Sequence, residues 1–480
     1  MSDTNFVRTE MLPPVAPPVS QRGVVRWLRE NLFSGPLNTI LSLLAVAALY
    51  YLIKASLPWW LNGVWNATSL RECRDIVAAS AGPDATGACW AVIRERWHQF
   101  LFGFYLPELW WRPMLCFALL FVALAPVLYS DSRRNIALLI GAVTALLALC
   151  LLLLDTVVLH LVVSVGVMLA LLVVAWAAPR KLLWVTLLYP FFAVWLLWGG
   201  SVWGPITTLL GVGVMAIAYR LVAPSLGVVM GSSIGFVAAC LWWLFAQGPL
   251  LAAVAPALPF DLQPVTSDKF GGFLLAFVIG VSSISISLPL GILLALGRRS
   301  DMLLIKTLSV GFIEFVRGVP LITMLFTASL LLQYFLPPRT NFDLILRVVI
   351  LVTLFSAAYN AEVVRGGLAA LPRGQYEAAD ALGLDYWQAQ RLIIMPQALK
   401  ISIPGIVSTF IGLFKDTTLV SFVGLNDPLK GITQIVRADI NWKGIYWEPY
   451  IFVGAIFFLA CFGMSRYSMY LEQKLKTDHR

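Results

Sequence analysis

The sequence predicts an all-α, polytopic membrane protein with about twelve transmembrane helices. Three observations predict it. Of 480 residues, 60% are hydrophobic and only 12% are charged, whereas ordinary globular chains carry about 25% charge. The apolar residues fall in runs near the ~20 needed to cross a bilayer. Most basic residues sit in the short breaks between runs, a placement that reads as topology under the positive-inside rule. The net charge of +9 is therefore not gathered into a phosphate-following patch, and nucleic acid is not an expected partner.

From the N-terminus, residues 1–36 are polar, with Pro13, Pro14, Pro17 and Pro18 and the basic set Arg22, Arg26 and Arg29, and read as a cytoplasmic tail. The run Leu37–Ile53 comes after a long leader without a clear small-x-small site, so an uncleaved anchor is expected rather than a signal peptide. Loop 54–112 carries Trp59, Trp60, Trp65, Trp90 and Trp97, a residue type that favours the membrane interface. Cys73 and Cys89 share this loop, and a disulfide or two free thiols fit the sequence equally well. Cys116, Cys150, Cys240 and Cys461 sit singly in apolar runs and read as packing residues.

Further apolar runs at 113–129, 136–154, 156–178, 182–198, 202–219 and 225–247 complete an N-terminal extension, 37–247, of about seven spans. Arg133-Arg134, Arg180-Lys181 and Arg220 mark cytoplasmic breaks, and Asp155-Thr156 and Gly199-Gly200-Ser201 mark tight outer turns. The extension is expected to buttress the C-terminal half, with enlarging the lipid-facing surface or recruiting a partner through loop 54–112 as the other readings. A Pro-containing linker, 248–269, leads to apolar segments at 270–296, 319–336, 345–365, 402–424 and 449–469. Residues 301–317 hold Glu314 and Arg317 and read as an interfacial helix. Parity places the linker outside, and both the N-terminus and the tail 471–480 inside.

One polar segment, 372–397, interrupts this pattern. Gln375-Tyr376-Glu377-Ala378-Ala379-Asp380-Ala381-Leu382-Gly383 and then Ile393-Ile394-Met395-Pro396 describe a helix, a turn and a second helix. A connector between spans does not need this composition.

The segment resembles the EAA loop of ABC importer permeases, with Met395 where leucine is usual. Phe312-Ile313-Glu314-Phe315-Val316-Arg317-Gly318-Val319-Pro320-Leu321, Ala361-Glu362-Val363-Val364-Arg365-Gly366-Gly367 and Phe414-Lys415-Asp416-Thr417-Thr418-Leu419-Val420 occur in the order found in polar-amino-acid permeases. Together they look like the transmembrane domain of the histidine and glutamine permease type. The likeness is nearest to general L-amino-acid permease subunits with extra N-terminal spans. It covers about residues 270–470, here taken as the permease domain.

The resemblance implies a five-helix type I importer core and a heterodimer with a homologous permease subunit. It further implies two ABC ATPase subunits, a periplasmic amino-acid-binding protein and L-amino-acid substrates, in a bacterial inner membrane. Within that family the loop docks on the ATPase, which assigns coupling to Glu377, Ala378, Ala379, Asp380, Gly383 and Pro396. No G-x-x-x-x-G-K-[ST] loop appears in this chain, so it is not expected to be an enzyme. ATP and Mg2+ belong on the partner ATPase, and this chain is expected to bind no cofactor.

The substrate path is expected near Lys415, Asp416, Thr417 and Thr418, the last standing where serine is typical. A helix starting near Ser402 would carry Lys415 about 20 Å along, near mid-membrane. An ionisable residue there costs roughly 2.5–3.5 kcal/mol on insertion scales and must be paired or functional. A zwitterionic amino acid offers ammonium for Asp416 and carboxylate for Lys415; a structural ion pair is the competing reading. Glu314 with Arg317, and Glu362 with Arg365, are spaced i,i+3 and suit structural or gating salt bridges. His98, His160 and His479 have no companions at metal-ligand spacing. Two other readings stay open: an ion-coupled secondary amino-acid transporter, which also places charges at the midplane, and a non-transporting membrane scaffold.

Overall fold

A computed structural model describes residues 23–129, 132–154, 156–257, 259–331, 334 and 343–475. The Asp155 turn residue and the tail beyond Leu475 lie outside the described residues. Two compact units divide at Glu95 and Arg96.

The first unit holds α1 (Gly23–Asn31), α2 (Pro36–Leu61) and α3 (Leu70–Ala81), and α4 (Ala91–Phe102) begins within it. α2 opens with proline at its first turn, where the missing N–H costs nothing. No residue of α2 is buried, so it is apolar on all sides, as a lipid-facing span is. It runs eight residues past the expected end at Ile53, so loop 54–112 begins as helix. Ser69 caps α3 by accepting from the Glu72 amide at 3.2 Å, a terminus the serine side chain specifies. Thr68 donates to the Glu72 carboxylate from its amide and its hydroxyl, both at 2.7 Å, which holds the carboxyl below its ordinary range. Cys73 and Cys89 form a disulfide with Cα atoms 5.9 Å apart. Beside it, the Trp59, Trp60 and Trp65 rings gather on Trp90 at centroid distances of 5.3–5.8 Å.

The second unit continues with α5 (Trp111–Leu128), α6 (Arg133–Leu153), α7 (Val158–Ala177), α8 (Leu182–Trp198), α9 (Trp203–Leu241) and α10 (Gln247–Ala257). α9 breaks at Gly227, whose φ of +83° a side chain would resist. Beyond the break the helical span continues to Ala257, so the first ten residues of the expected linker are helical. The remainder is pinned rather than slack. Strand β1 (Gly200–Ser201) pairs antiparallel with β2 (Asp261–Leu262). Arg112 donates to the Gln263 carbonyl at 2.6 Å, and the Trp198 indole N–H donates to Ser267 at 2.9 Å.

The C-terminal half consists of α11 (Gly272–Arg298), α12 (Leu303–Gly318), α13 (Leu321–Phe326), α14 (Leu344–Ala369), α15 (Arg373–Ala381), α16 (Tyr386–Ala389), α17 (Met395–Asp416), α18 (Pro428–Ala438) and α19 (Trp447–Leu475). Small residues let backbones approach closely here, as membrane helix pairs require. Gly291 of α11 abuts Asn360 and Ala357 of α14, and Gly367 of α14 abuts Ala398 and Ser402 of α17. Across the first pair, Asn360 donates to the Ser287 hydroxyl at 3.1 Å. α5 packs on this half: the Phe117 and Phe277 rings lie 4.7 Å apart. The Tyr467 hydroxyl donates to the Leu128 carbonyl at 2.8 Å.

Among the described residues, 11 helices are long and apolar enough to cross a membrane. They match the expected runs except 319–336. There α13 passes into a wider turn over Thr327–Leu331, and residues 332–336, apart from Tyr334, lie outside the described residues.

Candidate functional site

The polar segment folds as a helix–turn–helix at the foot of three spans. α15 ends in a two-bond cap: the Gly383 amide donates to Asp380 O at 2.9 Å and the Leu384 amide to Ala379 O at 3.2 Å. This cap needs a left-handed residue after the helix, which Gly383 supplies at φ +68°. The chain restarts at once. Asp385 and Gln388 cap each other's backbone amides, at 2.8 and 3.2 Å, a reciprocal box that starts α16. Between α16 and α17 the helix widens over Gln390–Ile394. Pro396 comes directly after and has no N–H for the preceding turn, which accounts for the widening.

Ala379 is buried and holds α15 down, whereas Glu377, Ala378, Asp380 and Gly383 are exposed. Neither Glu377 nor Asp380 enters an ion pair among the described residues. Around them Leu382, Tyr386, Trp387 and Leu392 are also exposed, giving an acidic helix beside an apolar rim. Two contacts tie it to the spans: Arg299, just past α11, donates to the Tyr376 hydroxyl at 2.8 Å, and Gln397 donates to Gln375 at 2.8 Å.

The four expected gating residues join one network whose pairing differs in part from the i,i+3 expectation. Glu362 and Arg365 do pair within α14, with Arg365 Nε donating at 2.8 Å. Glu314, however, pairs with Arg298 of α11 at 2.8 Å rather than with Arg317. Arg298 and Arg317 both reach Glu362, at 3.2 and 3.6 Å. Tertiary packing brings three guanidiniums around one carboxylate, joining α11, α12 and α14. Arg298 closes α11, far in sequence from Glu314 and Glu362, and nothing in the sequence signals these partners.

At the other candidate, α17 begins at Met395 rather than near Ser402, so Lys415 lies about 30 Å along it. Lys415 and Asp416 form its last turn, after which the chain tightens into a 3-10 helix over Thr417–Val423. Lys415 is exposed, Asp416 half-buried and Thr417 fully buried. Thr417 donates to Phe414 O at 2.8 Å and Thr418 to Lys415 O at 2.9 Å, so both hydroxyl protons serve this helix end. Phe414 packs on Phe277 and Phe457 with centroids 5.3 and 5.4 Å apart, which fixes where the two charges stand. Lys415 and Asp416 make no ion pair among the described residues.

Comparison with known proteins gives these geometries a setting. The model of the family "Binding-protein-dependent transport system inner membrane component" matches residues 287–477. The glutamate/glutamine/aspartate/asparagine transport system permease protein BztC of Rhodobacter capsulatus is 64% identical over 480 residues, covering 100% of both chains. The inner membrane amino-acid ABC transporter permease protein YhdY of Escherichia coli is 34% identical over 459 residues, 95% of this chain and 94% of that one. The glutamate/aspartate import permease protein GltK of Escherichia coli is 29% identical over 229 residues, 46% of this chain but 96% of its own. The extended length is thus shared with the first two and not with the third. The chain belongs to the family of amino-acid ABC transporter permeases, as one of its long members.

Proposed function

We propose that this permease subunit carries acidic amino acids and their amides inward across a bacterial inner membrane, with both termini cytoplasmic. It acts as a heterodimer with a homologous permease, two ATPase subunits that hold ATP and Mg2+, and a periplasmic binding protein. Full-length identity to a permease named for glutamate, glutamine, aspartate and asparagine carries the substrate class. The coupling role of 372–397 draws support from its construction: a short, doubly capped helix, unpaired Glu377 and Asp380, and an exposed apolar rim. Such a surface suits a basic, partly apolar groove, and a docked loop transmits closure of the ATPase pair to α14 and α17, which flank it.

The charges at the end of α17 suit the two ends of an amino acid. Lys415 faces outward from the helix end, where the helix dipole also favours a cation, and Asp416 lies 100° around it. Carboxylate on the first and ammonium on the second would leave neither charge unpaired on the path.

Proteoliposomes containing all the subunits test this reading. Uptake of labelled glutamate, glutamine, aspartate and asparagine should need ATP and Mg2+ on the ATPase side and survive an uncoupler. Uptake that stops with the uncoupler and ignores ATP would make the chain a secondary transporter. Glu377→Arg with Gly383→Trp should release the ATPase; full association and uptake would end the docking assignment. Asp416→Asn should lower uptake while assembly stays intact, and wild-type uptake would remove it from the path.

A further inference from the structure

A long-range ion pair marks the end of α18. Arg96, on α4, pairs with Asp439, the residue that follows α18, 343 positions away in sequence. The two line an open cleft of about 740 Å³ whose rim includes the exposed Phe104 and Ile440. With both termini cytoplasmic, as proposed above, α4 and the stretch after α18 each lie one span from a terminus, on the outer side.

Residues 437–443 are held firmly and yet present their side chains outward. Trp442 is only 2% exposed and anchors the stretch, and its carbonyl accepts from the Ile445 amide at 3.2 Å. Asp439 accepts from the Asn441 amide at 3.0 Å. Between these fixed points Ile440 stands 92% exposed, and Arg437 and Lys443 are exposed on either side of it in sequence. The one acid of the stretch, Asp439, is engaged by Arg96. What faces outward is therefore positive charge around an apolar tip. The family model begins at residue 287, so the extension supplies the Arg96 side of the clamp and the permease half supplies the surface it steadies.

We propose that residues 437–443, clamped by Arg96, form a docking surface for the periplasmic binding protein, which seats an acidic, partly apolar face on it. The inference rests on the import reading above, in which such a protein delivers the substrate. Arg437 and Lys443 steer an acidic partner toward the surface, and covering Ile440 and Phe104 removes apolar area from water. Arg96 is a positioning residue here. A stretch already ordered before docking loses little freedom on docking, so the clamp lowers the cost of binding rather than adding a contact. A bilayer is the other cover an exposed isoleucine could take. The ion pair in the cleft beside Ile440 disfavours it, because acyl chains offer such charges no partner.

The assembled complex in nanodiscs is titrated with its glutamate-loaded binding protein by biolayer interferometry, and gel filtration checks that each variant still assembles. Ile440→Asp should weaken binding by about tenfold or more. Arg437→Glu with Lys443→Glu should slow association several-fold and flatten its dependence on salt. Arg96→Met with Asp439→Asn removes the clamp at constant net charge and keeps an acceptor for the Asn441 amide. It should speed dissociation several-fold while association and its salt dependence hold. A photo-reactive p-benzoylphenylalanine in place of Ile440 should cross-link to the binding protein. Wild-type kinetics in these variants would overturn the surface, as would cross-linking to phospholipid or to another membrane subunit instead. A wild-type complex that binds no binding protein would defeat the import reading itself, and measuring wild type first separates the two failures.

Discussion

Asp427 is fully buried at the start of α18, where its oxygens accept from the Leu429 and Lys430 amides at 3.1 and 3.0 Å. Burial outweighs those bonds and pushes the carboxyl up to about 6 from 3.8. Between these values the folded chain keeps a proton that the unfolded chain has lost, so this group makes stability fall as pH rises through the window. Asp427→Asn keeps a capping carbonyl and removes the charge. It should raise stability at pH 7 by about 1–2 kcal/mol and leave it unchanged near pH 4. Thermal unfolding in detergent across pH 4–7 checks this, and parallel pH slopes for the two proteins would refute it. Glu362 is the opposite case, an anion among three arginines. Its side chain is 24% exposed, so solvent screens the loss, and Glu362→Gln should cost about 1–3 kcal/mol. An unchanged unfolding temperature would show that the arginines repack without it.

At the scale of elements, most spans were legible because about 20 apolar residues need no partner to be recognised. The helix, turn and second helix of 372–397 were legible too, since helix formers, Gly383 and Pro396 signal them locally, whereas the box of Asp385 and Gln388 emerged only in the structure. Whatever depends on distant packing escaped. Glu314 lies three residues from Arg317 yet pairs with Arg298, and Arg96 meets a residue in another half of the sequence. Helix ends also drifted: α2 and the span after Gly227 both run on past their polar flanks, because amphipathic and proline-containing turns continue a helix that hydropathy alone would stop. The disulfide element was an open choice in sequence, as spacing in one loop allows a bond without requiring it. Closing a loop of 16 residues limits the unfolded chain by about 3 kcal/mol in the chain-entropy description. Cys73→Ser with Cys89→Ser should therefore speed proteolysis within residues 62–95 while transport-domain helices stay protected. Equal cleavage of oxidised and variant protein would deny the bond a stabilising role.

Across the second unit, α5 packs on the permease half, as the Phe117–Phe277 and Tyr467–Leu128 contacts show. We propose on this ground that α5 and the spans packed on it buttress the permease half, as a broader frame around that core. α11 crosses that frame with both ends tied. At one end Arg299 holds Tyr376; at the other the Gly272 amide donates to Asn426 O at 2.8 Å, next to the Asp427 cap of α18. Arg299→Leu should loosen only the first tie, lowering amino acid moved per ATP hydrolysed several-fold while ATPase binding persists; an unchanged ratio would show that α14 and α17 suffice. With its ends pinned, α11 is a beam about 40 Å long. A tilt of about 5° at the foot sweeps the far end by about 3.5 Å, more than the length of a hydrogen bond. Pro289 removes one rung near the middle, so the beam has a soft point there, and its position sets how much of each stroke is delivered and how much is absorbed in bending.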